Sequence, residues 1–124
     1  MSRFKPLFLL LLIGAAGAGG AADRAADLGK LYAQFWEENL KLNPINATFA
    51  GDARYNGELP NFLSQEFADQ TRAFHQKYLD RARAIGTEGL TGQDRLSYDI
   101  FTLNRESELA ELKFPDRLLP VDQF

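Results

Sequence analysis

The stretch SQEFADQTRAFHQKYLDRARAIG, residues 64–86, decides the fold class. Phe67, Thr71, Phe74, Tyr78, Ala82 and Ile85 recur at spacings of four and three, which at about 3.6 residues per turn places them on one face of an α-helix. Arg72, Gln76, Asp80 and Arg83 occupy the wet side. Ser64 stands where an N-cap oxygen can accept a first-turn amide, and Gly86 stands where glycine ends a helix. Start, narrow stripe and stop agree on an amphipathic helix.

Working toward the N-terminus, residues 25–42 show the same period. Leu28, Leu31, Tyr32, Phe35, Trp36 and Leu42 fall on one side, with Lys30, Gln34, Glu37 and Lys41 opposite. This first helix ends where Asn43 meets Pro44, because a residue before proline is pushed out of the α region. Glu37 and Lys41 are in the favourable order for an i,i+4 ion pair. Residues 44–61 form a long connector. Asn43-Pro44 can cap and begin one helical turn, while Gly51-Asp52, Asn56-Gly57 and Leu59-Pro60 are turn signals. Phe49 and Tyr55 are expected to tuck against neighbouring helices.

Toward the C-terminus, Thr91 and Asp94 have capping-box spacing and open a third helix. With Leu96 at zero degrees, Ile100, Leu103 and Ala110 lie within about 40° of it, whereas Tyr98, Phe101, Leu109 and Leu112 cluster around 180°. A helix apolar on two opposite faces must be sandwiched, and two partner helices cover one face but leave little for the other. Residues 114–124 carry Phe114, Leu118, Leu119, Val121 and Phe124 with two prolines and no helical period, so they read as an extended segment in need of cover. The fold class is therefore all-α, with about three amphipathic helices expected to be an incomplete portion of a larger helical fold.

The N-terminus reads as an address. Arg3 and Lys5 precede an unbroken apolar run from Leu7 to Ile13, followed by Gly and Ala down to Ala22. That order is a secretory signal peptide over 1–22, with cleavage after Ala22 on the small pair Gly20 and Ala22, or one step earlier on Ala18 and Gly20. An uncleaved anchor is the alternative, against which the apolar run falls short of the roughly 20 residues a span requires. The expected location is periplasmic or secreted, with no membrane association after cleavage. The chain has no Cys, which removes lipid attachment at the cleavage point and any disulfide. The remainder, 23–124, is then one N-terminal helical segment of a larger domain.

Cleavage removes Arg3 and Lys5 and no acid, leaving 12 basic against 17 acidic residues, a formal charge of −5. The basic residues are interleaved with acids, so the basic stripe that binds phosphate is missing and no nucleic-acid partner is expected.

No catalytic, cofactor-binding or metal-ligating set emerges from the residues. His75, the single histidine, sits about 60° off the centre of the second helix's apolar stripe near Arg72 and Leu79, a position typical of packing. A metal site wants several converging ligands, and neither H-x-x-x-H nor C-x-x-C occurs. Glu37 and Glu38 beside Trp36 could suggest an acid/base pair, but adjacent helical residues diverge by about 100°. Glu106, Glu108 and Glu111 are spread around the third helix. The sequon Asn46-Ala47-Thr48 is common by chance and follows a bacterial-looking signal. Ser64, Ser97 and Ser107 lack a His and Asp arrangement, and no Gly-rich phosphate loop follows a strand.

The order of elements carries a resemblance. A leading signal, a helix centred on Phe35-Trp36, the connector Asn43-Pro44-Ile45-Asn46-Ala47-Thr48-Phe49-Ala50-Gly51, the Leu59-Pro60 turn and the long second helix come first. The phrase Leu90-Thr91-Gly92-Gln93-Asp94-Arg95-Leu96-Ser97-Tyr98-Asp99 and the closing Leu118-Leu119-Pro120-Val121-Asp122-Gln123 follow. Together they resemble the N-terminal part of the bacterial family catalogued as domain of unknown function 885. The resemblance covers essentially the whole segment after the signal, and it rests on order because each motif is short.

The resemblance implies a longer, mainly helical and often exported parent, regarded as a zinc-dependent hydrolase similar to metallopeptidases through an H-E-x-x-P-G-H motif in its later half. In such a motif two histidines one helical turn apart bind the metal and the glutamate activates water. This chain lacks the motif, so no catalytic or zinc-binding residue carries over. What carries over is architectural: Pro44, Ala47, Thr48 and Gly51 as a structural turn, and Leu119-Pro120 leading into a further region. The expected function is an N-terminal fragment of an exported hydrolase, inactive alone, whose partner is the catalytic portion. The alternatives are a complete small periplasmic helical binding or inhibitor module that docks a protein partner and, ranked last, a self-contained carboxylate hydrolase with two acids across a cleft.

Overall fold

Pro44 and Ser64 divide the chain as their chemistry dictates. A computed structural model describes residues 18–114 as α1 (Ala18–Leu42), α2 (Pro44–Phe49), a 3₁₀ turn (Ala53–Tyr55), α3 (Gln65–Ile85) and α4 (Gly92–Glu111). The architecture is all-α, with no strand among the described residues. The expected signal core lies outside those residues, as does the C-terminal segment beyond Phe114. α1 itself begins at Ala18 and runs through the predicted cleavage point after Ala22, farther upstream than the start near residue 25 read from periodicity.

α1 stops at Leu42, one residue short of the position that Pro44 restricts. Its Leu28 and Leu31 are buried, and Phe35 and Tyr32 pack against the core. Trp36, expected on the inner face, is instead 50% exposed, while Leu40, one turn on and only about 40° around the helix from it, is buried. Trp36 lies at the edge of the apolar arc, and α2 packs against α1. Glu37 does not follow the expected i,i+4 order either: it takes Arg54 of the connector at 2.9 Å.

The connector is more ordered than its turn signals suggest. Pro44 opens α2 at a position where its missing N–H goes unneeded, and Pro44 and Ala47 are buried. Asn43 gives no side-chain cap; its Nδ2 donates to Asn39 Oδ1 at 2.9 Å. Thr48 Oγ1 lies 2.8 Å from Asn56 Oδ1, and Gly51 adopts φ 82°, a left-handed turn that glycine enters without strain. Phe49 does not tuck in and is 85% exposed. It stands two residues from Ala47, about 200° around the helix, so burying one turns the other outward.

α3 is the helix against which both α1 and α4 pack. Ser64 Oγ accepts from the Phe67 amide at 3.1 Å, and the helix stops at Gly86 with φ 77°. Its buried face is wider than the narrow predicted stripe: Ala68, His75 and Leu79 join Phe74, Tyr78 and Ala82. Two packing partners require two buried rows, which a single stripe does not disclose.

Thr91 occupies the N-cap of α4 in extended conformation, but its side chain makes no cap hydrogen bond, so the expected capping box is absent. Tyr98 and Phe101 pack half-buried on the core, while Leu96, Ile100 and Leu103 are 52%, 49% and 60% exposed. The Gly86–Leu90 link is fastened to α1. Arg24 donates to the Glu88 carbonyl at 2.9 Å and pairs with its carboxylate, and a Cβ on Gly89 would lie 3.0 Å from the Ala21 Cβ. No described helix is long and apolar enough to cross a membrane.

Candidate functional site

Phe35 is the hub from which the site is built. Its ring meets Phe74 at 5.1 Å, Tyr78 at 5.2 Å and Phe101 at 5.2 Å, so α1, α3 and α4 converge on one aromatic side chain. Tyr32, one position short of a turn earlier, lies 4.8 Å from Phe101. Aromatic contacts of this kind hold α1 and α4 over a common floor and leave a trough between them.

That trough is lined by Tyr32 and Phe35 of α1 and by Ser97, Ile100, Phe101, Asn104 and Arg105 of α4, and its wider end measures about 360 Å³. A second hollow of about 200 Å³ continues it past Tyr32 and Ser97 toward Asp94. The walls are mainly apolar. The polar groups are Ser97 Oγ, which accepts from Gln93 Nε2 at 3.2 Å, the Tyr32 hydroxyl, the Asn104 amide and the Arg105 guanidinium, with the Asp94 carboxylate at the far end.

Arg105 is the feature that sequence reading missed. It is 8% exposed, with its guanidinium carbon 4.1 Å from the Phe35 ring centre and 5.1 Å from that of Phe101. Its Nε has no hydrogen-bond partner. Burial pulls its pKa down and the Glu108 charge works against that, but a guanidinium remains a cation at any ordinary pH. The signal was present in the sequence: Arg105 stands nine residues after Leu96, at about 180°, in the centre of the face formed by Tyr98, Phe101, Leu109 and Leu112. A cation there has to stack on rings or find an anion.

His75 lies in the same layer, 5% exposed between the Phe35 and Phe74 rings. Burial first, and the Arg105 charge second, lower its pKa to about 4. The ring is neutral at pH 7, its Nδ1 has no partner, and its Nε2 is 3.9 Å from Glu108 Oε2. A neutral imidazole walled by rings packs much as an apolar ring does.

The other residues weighed from sequence do not converge. Glu37 goes to Arg54, while Glu38 pairs with Lys77 at 2.7 Å, and that hydrogen-bonded ammonium holds the Glu38 carboxyl below its ordinary range. Glu106 pairs with Arg83 at 2.7 Å, and Glu111 is exposed at the end of α4. Asn46 is exposed on α2 and Thr48 is engaged with Asn56. Ser64 serves as the α3 cap, Ser107 faces solvent, and Ser97 alone of the three serines reaches the trough. Among the described residues no three His, Cys, Asp or Glu side chains come together in a way that could hold a metal ion.

The chemistry available is recognition. A fixed cation on two aromatic faces, in an apolar trough, can accept an oxyanion but cannot donate and retrieve a proton during a reaction. No family model matches the chain, and neither a curated protein nor a solved structure does.

Proposed function

We propose that this chain is the N-terminal helical segment of a longer exported hydrolase, of the zinc-dependent and metallopeptidase-like kind implied by the domain of unknown function 885 resemblance. In this reading it works in the periplasm or outside the cell, and it has no catalytic activity alone. Its helices form a wall against which the catalytic portion packs. The observation that carries the reading is the outer strip of α4, where Leu96, Ile100 and Leu103 remain about half exposed at helical spacing. Full burial of such a side chain is worth about 1.5–3 kcal/mol, so covering the strip is a substantial driving force for docking. The Arg3-to-Ala22 pattern and the order of short motifs support the exported, longer parent.

Zinc enters this proposal only through the parent. The described residues do not fit such a site, because His75 is buried against rings with Glu108 alone near it, and no three potential ligands come together among them. Sequencing the coding DNA past Phe124 tests the reading. An in-frame continuation to a His-Glu-x-x-Pro-Gly-His segment is the expected result, and a stop codon directly after Phe124 overturns it. Zinc-dependent hydrolysis of peptides or esters by the purified chain would overturn the assignment of inactivity.

A further inference from the structure

Arg105 is turned into the fold, 8% exposed, and among the described residues no group accepts a hydrogen bond from it. Its Nε is sealed against protein. Its two terminal nitrogens are not sealed, and they are the atoms that open on the α1–α4 trough. Glu108, whose charge acts on Arg105, forms no ion pair with it and lies 3.9 Å from His75 Nε2 instead. A guanidinium stacked on the Phe35 and Phe101 rings keeps its N–H groups in its own plane, so the anion it lacks would arrive edge-on, from the trough.

The trough has the shape of a slot. Ser97, Ile100, Phe101, Asn104 and Arg105 stand at i, i+3, i+4, i+7 and i+8, which is one side of α4, and Asp94 extends that side by a further turn. From Asp94 to Arg105 is roughly 16 Å at about 1.5 Å per residue. The two hollows, about 360 and 200 Å³, are continuous at Tyr32 and Ser97, and the larger falls within the roughly 300–1,000 Å³ usual for small-ligand sites. Gly29 of α1 keeps the narrower one open, since a Cβ there would meet nothing within 4 Å. Leu96 and Leu103 line neither hollow.

We infer that this slot binds a single-chain amphiphilic monocarboxylate of the fatty-acid class, with its carboxylate on the terminal nitrogens of Arg105 and its alkyl chain running between Tyr32 and Phe35 on α1 and Ile100 and Phe101 on α4 toward Gly29. A carboxylate matches the two parallel N–H groups at the end of a guanidinium. An uncharged chain would fill the walls and leave Arg105 without its acceptor. A phosphate dianion would set two charges against one cation, and a diacid would carry its second charge toward Asp94. Every group the site uses lies on α1 or α4, so it holds with or without a catalytic portion.

Calorimetric titration of the purified chain with hexanoate, octanoate and decanoate below their micelle concentrations, and with 1-octanol and octanedioate, tests the inference. Saturable binding is expected, tightening with chain length by up to about fourfold for each fully buried methylene. Octanol and octanedioate should each bind about tenfold or more weaker than octanoate, and Arg105→Met should weaken octanoate by a similar factor. Arg105→Met disturbs a buried layer, so Ser97→Leu, which fills the junction of the two hollows, is the second arm and should weaken decanoate about tenfold with the helical melt retained. Leu103→Gln, outside the slot, should leave binding unchanged. No saturable binding overturns the inference, as do octanol equal to octanoate, octanedioate equal to octanoate, no gain with chain length, or indifference to both Arg105→Met and Ser97→Leu. Loss of binding in Leu103→Gln also overturns it, because the chain would then be adsorbed on the outer strip of α4.

Discussion

Replacing Ser64 by alanine removes the oxygen that accepts from the Phe67 amide and exposes a first-turn donor of α3. The expected loss is about 1 kcal/mol, seen as a melting temperature lower by about 5 °C in a domain of this size. His75 makes a different kind of prediction. Its folded pKa of about 4 lies below the ordinary value of about 6.5, so below pH 6.5 the unfolded chain binds the proton first. The stability linked to His75 is therefore intact above about pH 6.5 and is lost as the pH falls toward 4. Urea midpoints measured across that range should fall more steeply for the native chain than for His75→Phe, which keeps the ring and removes the titration. A parallel fall in the two proteins would show that other groups carry the acid sensitivity.

The helices separate into faces that matter for folding and a face that does not. Leu31→Ala, at a 1% exposed position of α1, should cost about 2–5 kcal/mol in denaturant unfolding through lost contacts and a cavity. Leu103→Gln, 60% exposed on the outer strip of α4, should change stability by no more than about 0.5 kcal/mol. A large loss for Leu103→Gln would mean that the strip is already covered within this chain. At the α3 stop, Gly86→Ala leaves space for the new Cβ, whose nearest contact is the Arg83 carbonyl at 3.9 Å, yet it must hold alanine at φ 77°. With ψ at −177° the conformation is one that glycine alone adopts readily, so about 1–3 kcal/mol of strain is expected, and a neutral result would show that the link between α3 and α4 relaxes to a different turn.

Taken together, the packing has a dry side, where Phe35 joins three helices, and a wet apolar side along α4. The purified chain should bind an apolar fluorescent dye under native conditions, and Leu96→Gln combined with Ile100→Gln should remove most of that signal without lowering the melting temperature. Dye silence in the native chain would count against an uncovered strip. The α-helical class, the α1 stop at Pro44, the Ser64 start and the Gly86 stop were all legible in the residues, because capping, proline restriction and hydrophobic period act between neighbours in the chain. The two-faced character of α4 was legible for the same reason. Which helix the others pack against, that Trp36 points outward and Leu40 inward, and that Phe49 stays in water depend on where other helices come to rest. Those are contacts between residues far apart in the chain, and periodicity carries no information about them. Arg105 is the sharpest case: its place on an apolar face was written in the sequence, but only the convergence of Phe35 and Phe101 on it, after folding, made a surface cation into the buried floor of a trough.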